Sequence, residues 1–190
     1  MKNSDDDKCR ICKKDPETIF HILGACDALA KREYFVRHNN ICKHYQMDVG
    51  ENWFKHNPTD VILKNKIEVI YDQVILTTRP VGANRPDILI KDLLNKKAYI
   101  IDISCPVDTN VGKKECEKVA KYGALGIEAE RMWGVKAQII PVIVGGLGAV
   151  TKNLGDNLAK IPEAPDQYMC QKICLLGSKK ILKDVLRRSK

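Results

Sequence analysis

No run of apolar residues in this sequence approaches the roughly eighteen needed to cross a bilayer. The opening Met-Lys-Asn-Ser-Asp-Asp-Asp-Lys has no apolar segment of the kind that a secretory signal carries. Both absences argue against a membrane or secreted role, and the expected setting is intracellular, in the nucleus. There is no internal repeat, which argues against a solenoid or array. Gly145-Gly-Leu-Gly148 matches neither the dinucleotide-binding nor the P-loop pattern, so it is expected to be a tight strand-to-helix turn rather than a phosphate cradle. What the chain does have is 190 residues at 44% hydrophobic content, enough for one sizeable core and one small appendage. A formal charge of +8 and a pI near 9.0 suit an anionic partner, with nucleic acid foremost.

Eight cysteines in an intracellular protein point to metal ligation or buried thiols rather than disulfides. Cys9, Cys12, His21 and Cys26 are spaced Cys-x2-Cys-x8-His-x4-Cys, a pattern suited to a tetrahedral Zn2+ held by three thiolates and an imidazole. Ile11, Ile19, Phe20, Ile22 and Leu23 are too few to offset the chain entropy of so short a segment, so zinc is expected to supply its folding free energy. Cys42 or His38, a little downstream, could replace one ligand. Cys105, Cys116, Cys170 and Cys174 lack ligand spacing and are expected to be core or surface thiols.

Two aspartates carry the chemistry of the middle of the chain. Asp87 opens the β-prone run Asp87-Ile-Leu-Ile, and Asp102 lies within Ala98-Tyr-Ile-Ile-Asp102-Ile-Ser. Paired as a hairpin across a Lys/Asn turn, the two strands can bring both carboxylates to one end of a sheet. A phosphodiester is already anionic, so cutting it requires a generated hydroxide and neutralisation of the charge that builds on phosphorus; carboxylates holding Mg2+ or Mn2+ can do both. A helix expected over residues 111–133, with Val119, Tyr122, Leu125, Ala129 and Met132 on its apolar face, presents Lys118 and Lys121 on a neighbouring face, where an amine can meet phosphate or orient water.

Around this centre, residues 27–45 read as a basic helix in which Arg32, Arg37 and His38 are candidate nucleic-acid contacts, together with Arg85. A first core strand is expected over Glu68–Thr77. Residues 136–144 read as a buried strand, placed at an edge or bulge by Pro141, with Gly134 closing the preceding helix. Further helices are expected from about Thr151 and from about Tyr168 to Arg188, the latter ending in a dense run of lysine and arginine.

Taken together, Arg85-Pro86-Asp87, Ile101-Asp102-Ile-Ser-Cys-Pro106-Val-Asp108, Lys113-Lys-Glu115-Cys-Glu-Lys118-Val-Ala-Lys121-Tyr122 and Val142-Ile-Val-Gly145-Gly-Leu-Gly148 resemble the C-terminal region of site-specific non-LTR retrotransposon polyproteins. That region joins a CCHC zinc knuckle to a restriction-like endonuclease of the PD-(D/E)XK superfamily. The resemblance implies an α/β core, a mixed central sheet flanked by helices, behind a small zinc module. It implies that Asp87 and Asp102 hold Mg2+, that Lys118 is the displaced catalytic lysine, and that Lys121 and Tyr122 support it. Ser104 stands where most of the wider superfamily carries lysine, and the eight-residue Cys12–His21 spacing is similar to the retrotransposon rather than the retroviral knuckle. The implied activity is nicking of target DNA, whose 3′ hydroxyl primes reverse transcription of element RNA. The reverse transcriptase itself is not in this sequence. Alternatives are an inactive nucleic-acid-binding remnant and a resolvase-like nuclease. The expected division is a disordered 1–8, a zinc knuckle at 9–27, a basic helical linker at 28–66, the nuclease core at 67–165 and a basic C-terminal helix at 166–190.

Overall fold

The computed structural model describes residues 7–44, 61–64, 66–162 and 164–188. The expected disorder of 1–8 concerns mainly residues outside these. Lys8, by contrast, bridges Pro16, and Glu17 N–H donates to the Asp7 carbonyl at 2.7 Å.

Within the described residues the fold is α/β, a five-stranded mixed sheet flanked by helices. The strands β1 (Val61–Lys64), β2 (Ile67–Tyr71), β3 (Ile88–Asp92), β4 (Lys97–Ser104) and β5 (Lys136–Ile143) lie side by side in chain order. The first four run antiparallel and β5 joins β4 in parallel. A parallel partner demands a long crossover, and α3 (Val111–Trp133) supplies it. It ends where Gly134 adopts φ 62° and donates to the Glu130 carbonyl, a left-handed cap that glycine takes without strain. Pro141 is tolerated because β5 is an edge strand, with a neighbour on one side only.

Alternation on β3 and β4 divides the core. Ile88, Ile90, Tyr99, Ile101 and Ile103 pack on one face with α4 (Leu154–Leu158) and α5 (Gln167–Leu186), while Leu89 and Ile100 meet Tyr122 and Leu125 of α3 on the other. The turn between β3 and β4 is closed by Asp92, whose carboxylate accepts from Asn95 N–H and Nδ2 at 2.9 and 2.7 Å.

Two boundaries differ from expectation. The strand expected to run to Thr77 stops at Tyr71, because Asp72, after a last bond from its N–H to the Asp87 carbonyl, turns left-handed (φ 45°) and takes the chain off the sheet. The segment expected as a helical linker up to residue 66 contains β1, which pairs with β2 from Val61↔Ile70 onward.

The basic helix at 27–44 comprises α1 (Asp27–Leu29), a π-helical stretch (Ala30–Tyr34) and α2 (Phe35–His44). It lies against α5, which is why its charges do not all face water. Arg37 is 1% exposed. Its guanidinium donates to Ser178 Oγ (3.0 Å), the Leu23 carbonyl (2.8 Å) and the Cys105 carbonyl (2.9 Å), tying three elements together. The expectation that Arg37 contacts phosphate is therefore corrected: both Nη groups donate inside the protein and the side chain is sealed from solvent. Gly177 on α5 makes room for it, since a Cβ there would lie 2.6 Å from Arg37 Cγ. Replacing Arg37 by Ala should deprive the Leu23 and Cys105 carbonyls of their donor beside a void, while Ser178 keeps its bond to the Gly146 carbonyl, costing about 3–5 kcal/mol in urea denaturation, an amount typical of breaking a buried charged network.

The N-terminal module is less self-sufficient than its sequence suggests, but it is not isolated. Ile22, Leu23, Cys9, Cys26 and Leu29 form one cluster with Ile181 and Val185 of α5. Arg10 chelates Glu17 and reaches the Arg188 carbonyl at 3.1 Å, fastening the module to the end of α5.

Candidate functional site

At the N-terminus the chain turns through Lys13 at φ 59°, with Cys9 N–H bonded to the Asp15 carbonyl at 2.7 Å and Lys13 N–H to the Cys9 carbonyl at 2.8 Å. A short π-helical segment, His21–Ala25, then returns the imidazole, and Cys26 caps it. These turns bring the ligand atoms of Cys9, Cys12, His21 and Cys26 within 4.8 Å of one another, and the four could hold a metal such as zinc. Cys12 Sγ lies 3.2 Å from His21 Nε2, while Asp15 Oδ2 lies 3.8 Å from Nδ1. This suits Nε2 as the ligand, with Asp15 orienting the ring behind it. Burial opposes charge on the Cys12 thiol, yet the Asp15 and Lys14 backbone N–H groups and His21 bring it down to about 6, within reach of the thiolate a metal requires. Burial pushes Cys26 up to about 12. Neither Cys42 nor His38 joins this cluster; both lie with Asp87.

The two aspartates sit at the end of the β3–β4 hairpin. Register pairs Ile88 with Ile101, so Asp87 and Asp102 are the residues that adjoin this last pair on the two chains. Asp102, 2% exposed in the middle of β4, meets the amines of both Lys118 and Lys121, the second at 3.4 Å from Oδ1. Tyr122, fully buried, donates to the Arg85 carbonyl at 2.8 Å and accepts from Lys121 Nζ at 2.8 Å. It thus pins the loop that delivers Asp87. Burial and the neighbouring Asp102 raise its pKa, so the phenol remains a donor at neutral pH. Glu115, one turn before Lys118, faces elsewhere and accepts from Thr151 Oγ1 at 2.9 Å.

Asp87 has a partner that the sequence did not disclose. Its Oδ2 accepts from Ile103 N–H at 2.6 Å and lies 3.0 Å from His38 Nε2. Burial works against charge on both groups, but the bond between them prevails. It holds the Asp87 carboxyl below the usual carboxylate range and, with help from Cys42, lifts His38 to about 12. His38, expected as a phosphate contact, is thus placed against the acid. The only sequence signal for this was the His38/Cys42 spacing of four residues along one helix face.

The pair has a pH signature. A raised imidazole pKa gives stability that is complete below the ordinary value of 6.5 and lost as pH climbs toward about 12. A lowered carboxyl pKa gives stability present above 3.8 and lost on acidification. With no ion held by His38, Cys42 and Asp87, parent stability should fall by up to about 1.4 kcal/mol per pH unit above 7 relative to His38→Gln, whose curve should be flatter. Urea titrations at pH 7, 8 and 9 measure this, and parallel curves would refute it.

Of the other expected contacts, Arg32 is exposed and Arg85 is exposed but pairs with Asp72, through the carbonyl at 2.9 Å and Oδ2 at 3.0 Å. The glycine turn is occupied from within. Leu147 and Ala149 N–H groups donate to Asp108 at 2.8 and 2.9 Å, and a Cβ on Gly145 would fall 2.6 Å from Asp108 Oδ1. These amides bind a carboxylate of the same chain, in keeping with a structural turn.

Among the described residues, only two groups of three or more potential metal ligands occur, the N-terminal cluster and His38/Cys42/Asp87; neither includes Asp102. No described helix is long and apolar enough to cross a membrane. Compared with known proteins, the chain matches no family model, and no curated protein sequence is significantly similar to it.

Proposed function

We propose that the chain is a metal-dependent DNA-nicking endonuclease of the PD-(D/E)XK type, similar to the endonuclease region of site-specific non-LTR retrotransposon polyproteins. The observation that carries this is the buried Asp102 of β4, in contact with two lysines of α3 at the end of the sheet where Asp87 enters β3. Two carboxylates and nearby amines match the needs of phosphodiester cleavage: hard oxygens for a divalent ion and cations for the phosphate. The donor set fits Mg2+ in the way that ion is usually held, by one or two carboxylates with waters completing its shell. Bound there, Mg2+ would activate a water and screen the charge that develops on phosphorus. Lys118 would hold the attacking water or a phosphate oxygen, Lys121 would contact phosphate, and Tyr122 would keep the Asp87 loop in place. DNA is the proposed substrate and the cysteine cluster, zinc-filled, would add nucleic-acid contacts, with Arg32 and Arg85 on the surface.

The alternative is a protein that holds nucleic acid without cutting it. It is favoured by the fact that both acids already have cationic partners, Asp102 in Lys118 and Lys121 and Asp87 in His38. Conversion of supercoiled plasmid to open circle separates the two: nicking that requires Mg2+ and stops in EDTA supports the nuclease, and DNA retention without nicking supports the alternative.

A further inference from the structure

We propose that His38, Cys42 and Asp87 form a second metal site, separate from the N-terminal cluster, that takes a borderline divalent ion such as Zn2+ or Co2+ through one nitrogen, one sulfur and one oxygen. Their potential ligand atoms all lie within 4.8 Å of one another. His38 and Cys42 are four residues apart on α2 and therefore share a face of that helix, with Sγ 3.7 Å from Nδ1. Asp87 is brought to them from the start of β3, its carboxylate steadied by Ile103 N–H at 2.6 Å, a bond that needs no cation. One helix and the residue that leads into β3, its loop pinned by Tyr122, thus supply the three ligands.

The ligand types decide which ion fits. Thiolate and imidazole favour zinc and its neighbours over magnesium, which takes oxygen. A bound ion would displace the Cys42 thiol proton and the extra proton of His38, both released to solvent, and take the place of the His38–Asp87 bond. Three protein ligands leave a tetrahedral ion one open position, the arrangement of catalytic rather than purely structural zinc. All three residues line the same cavity of about 790 Å3, together with Tyr71 and Arg85. The fourth ligand would come from that cavity as water or as a phosphate oxygen, with Arg85 at hand to share the negative charge.

The site shares Asp87 with the proposed nuclease but excludes Asp102, so it stands whether or not the protein cuts DNA. The test adds Co2+ to protein whose N-terminal cluster is already filled with zinc, an ion that cobalt displaces poorly from thiolates. The parent should bind one further ion per chain and develop a Co2+–thiolate charge-transfer band. Cys42→Ser should abolish the band with zinc content unchanged, and His38→Gln should weaken Co2+ binding at least about tenfold. Asp102→Asn should keep the band, even if it no longer nicks. No thiolate band in the folded parent, or a band that survives Cys42→Ser, overturns the site. Should Cys42→Ser fail to fold, His38→Gln, which retains the thiol, decides: undiminished Co2+ affinity there also overturns it.

Discussion

Plasmid nicking in Mg2+ is expected to fall about 10²–10³-fold in Asp102→Asn, Asp87→Ala and Lys118→Ala, the range found when one preorganised charge is removed from a catalytic centre. The acids are expected to act by positioning the ion, so their loss should persist at saturating DNA. Lys118 is 20% exposed at its side chain and Lys121 46%, so Lys118 is the better-desolvated amine and its truncation should be the more damaging of the two. Lys121→Ala should chiefly weaken DNA binding and its salt dependence. Because Asp102 is buried and paired with both lysines, Asp102→Asn also removes charge pairing, and circular dichroism with urea denaturation must accompany the nicking rates. A folded Asp102→Asn protein that nicks at the parental rate would remove the proposed centre.

The second large effect concerns the N-terminal cluster. Structural zinc contributes about 10–16 kcal/mol in comparable short modules, and here the ligands are wired into the protein's own packing. Cys9 and Cys26 are fully buried in the cluster that also holds Ile181 and Val185 of α5. Cys26→Ser, or removal of zinc by a strong chelator, is therefore expected to unravel residues 9–29 and uncover one face of α5. Limited proteolysis should find new cuts in that segment, while hydrogen exchange at β3 and β4 stays slow. Acid should act in the same direction as a chelator, since protons compete with metal for thiolates. Native mass spectrometry showing no zinc in a fully folded parent, with Cys26→Ser equally resistant to protease, would overturn this expectation.

The local features of the chain were legible without coordinates because each depends on residues a few positions apart. β-prone apolar runs marked β3 and β4, the three- and four-residue recurrence of Val119, Tyr122, Leu125, Ala129 and Met132 marked α3, Gly134 marked its end, and Pro141 pointed to an edge or bulge. Ligand spacing marked Cys9, Cys12, His21 and Cys26. The β3–β4 hairpin on whose open end Asp87 and Asp102 lie followed from the position of the turn between them.

Arg37 and His38 show where such reading ends. Adjacent on a basic helix, they look alike in sequence, yet one is sealed between Leu23, Cys105 and Ser178 and the other meets an acid 49 residues away. Likewise, nothing local announced that Asp72 would turn left-handed and leave the sheet, or that Asp108 would fill the glycine turn. What the sequence by itself determined was therefore the strands from β2 to β5, the helix α3 and the C-terminal helix, the zinc-type ligand spacing and the hairpin that carries the two acids, since these are written in short periods and turn chemistry. Only the tertiary structure decided which charges are spent internally and which acid an imidazole meets, because that depends on how α2 and α5 pack over the end of the sheet, a long-range matter that no local pattern encodes.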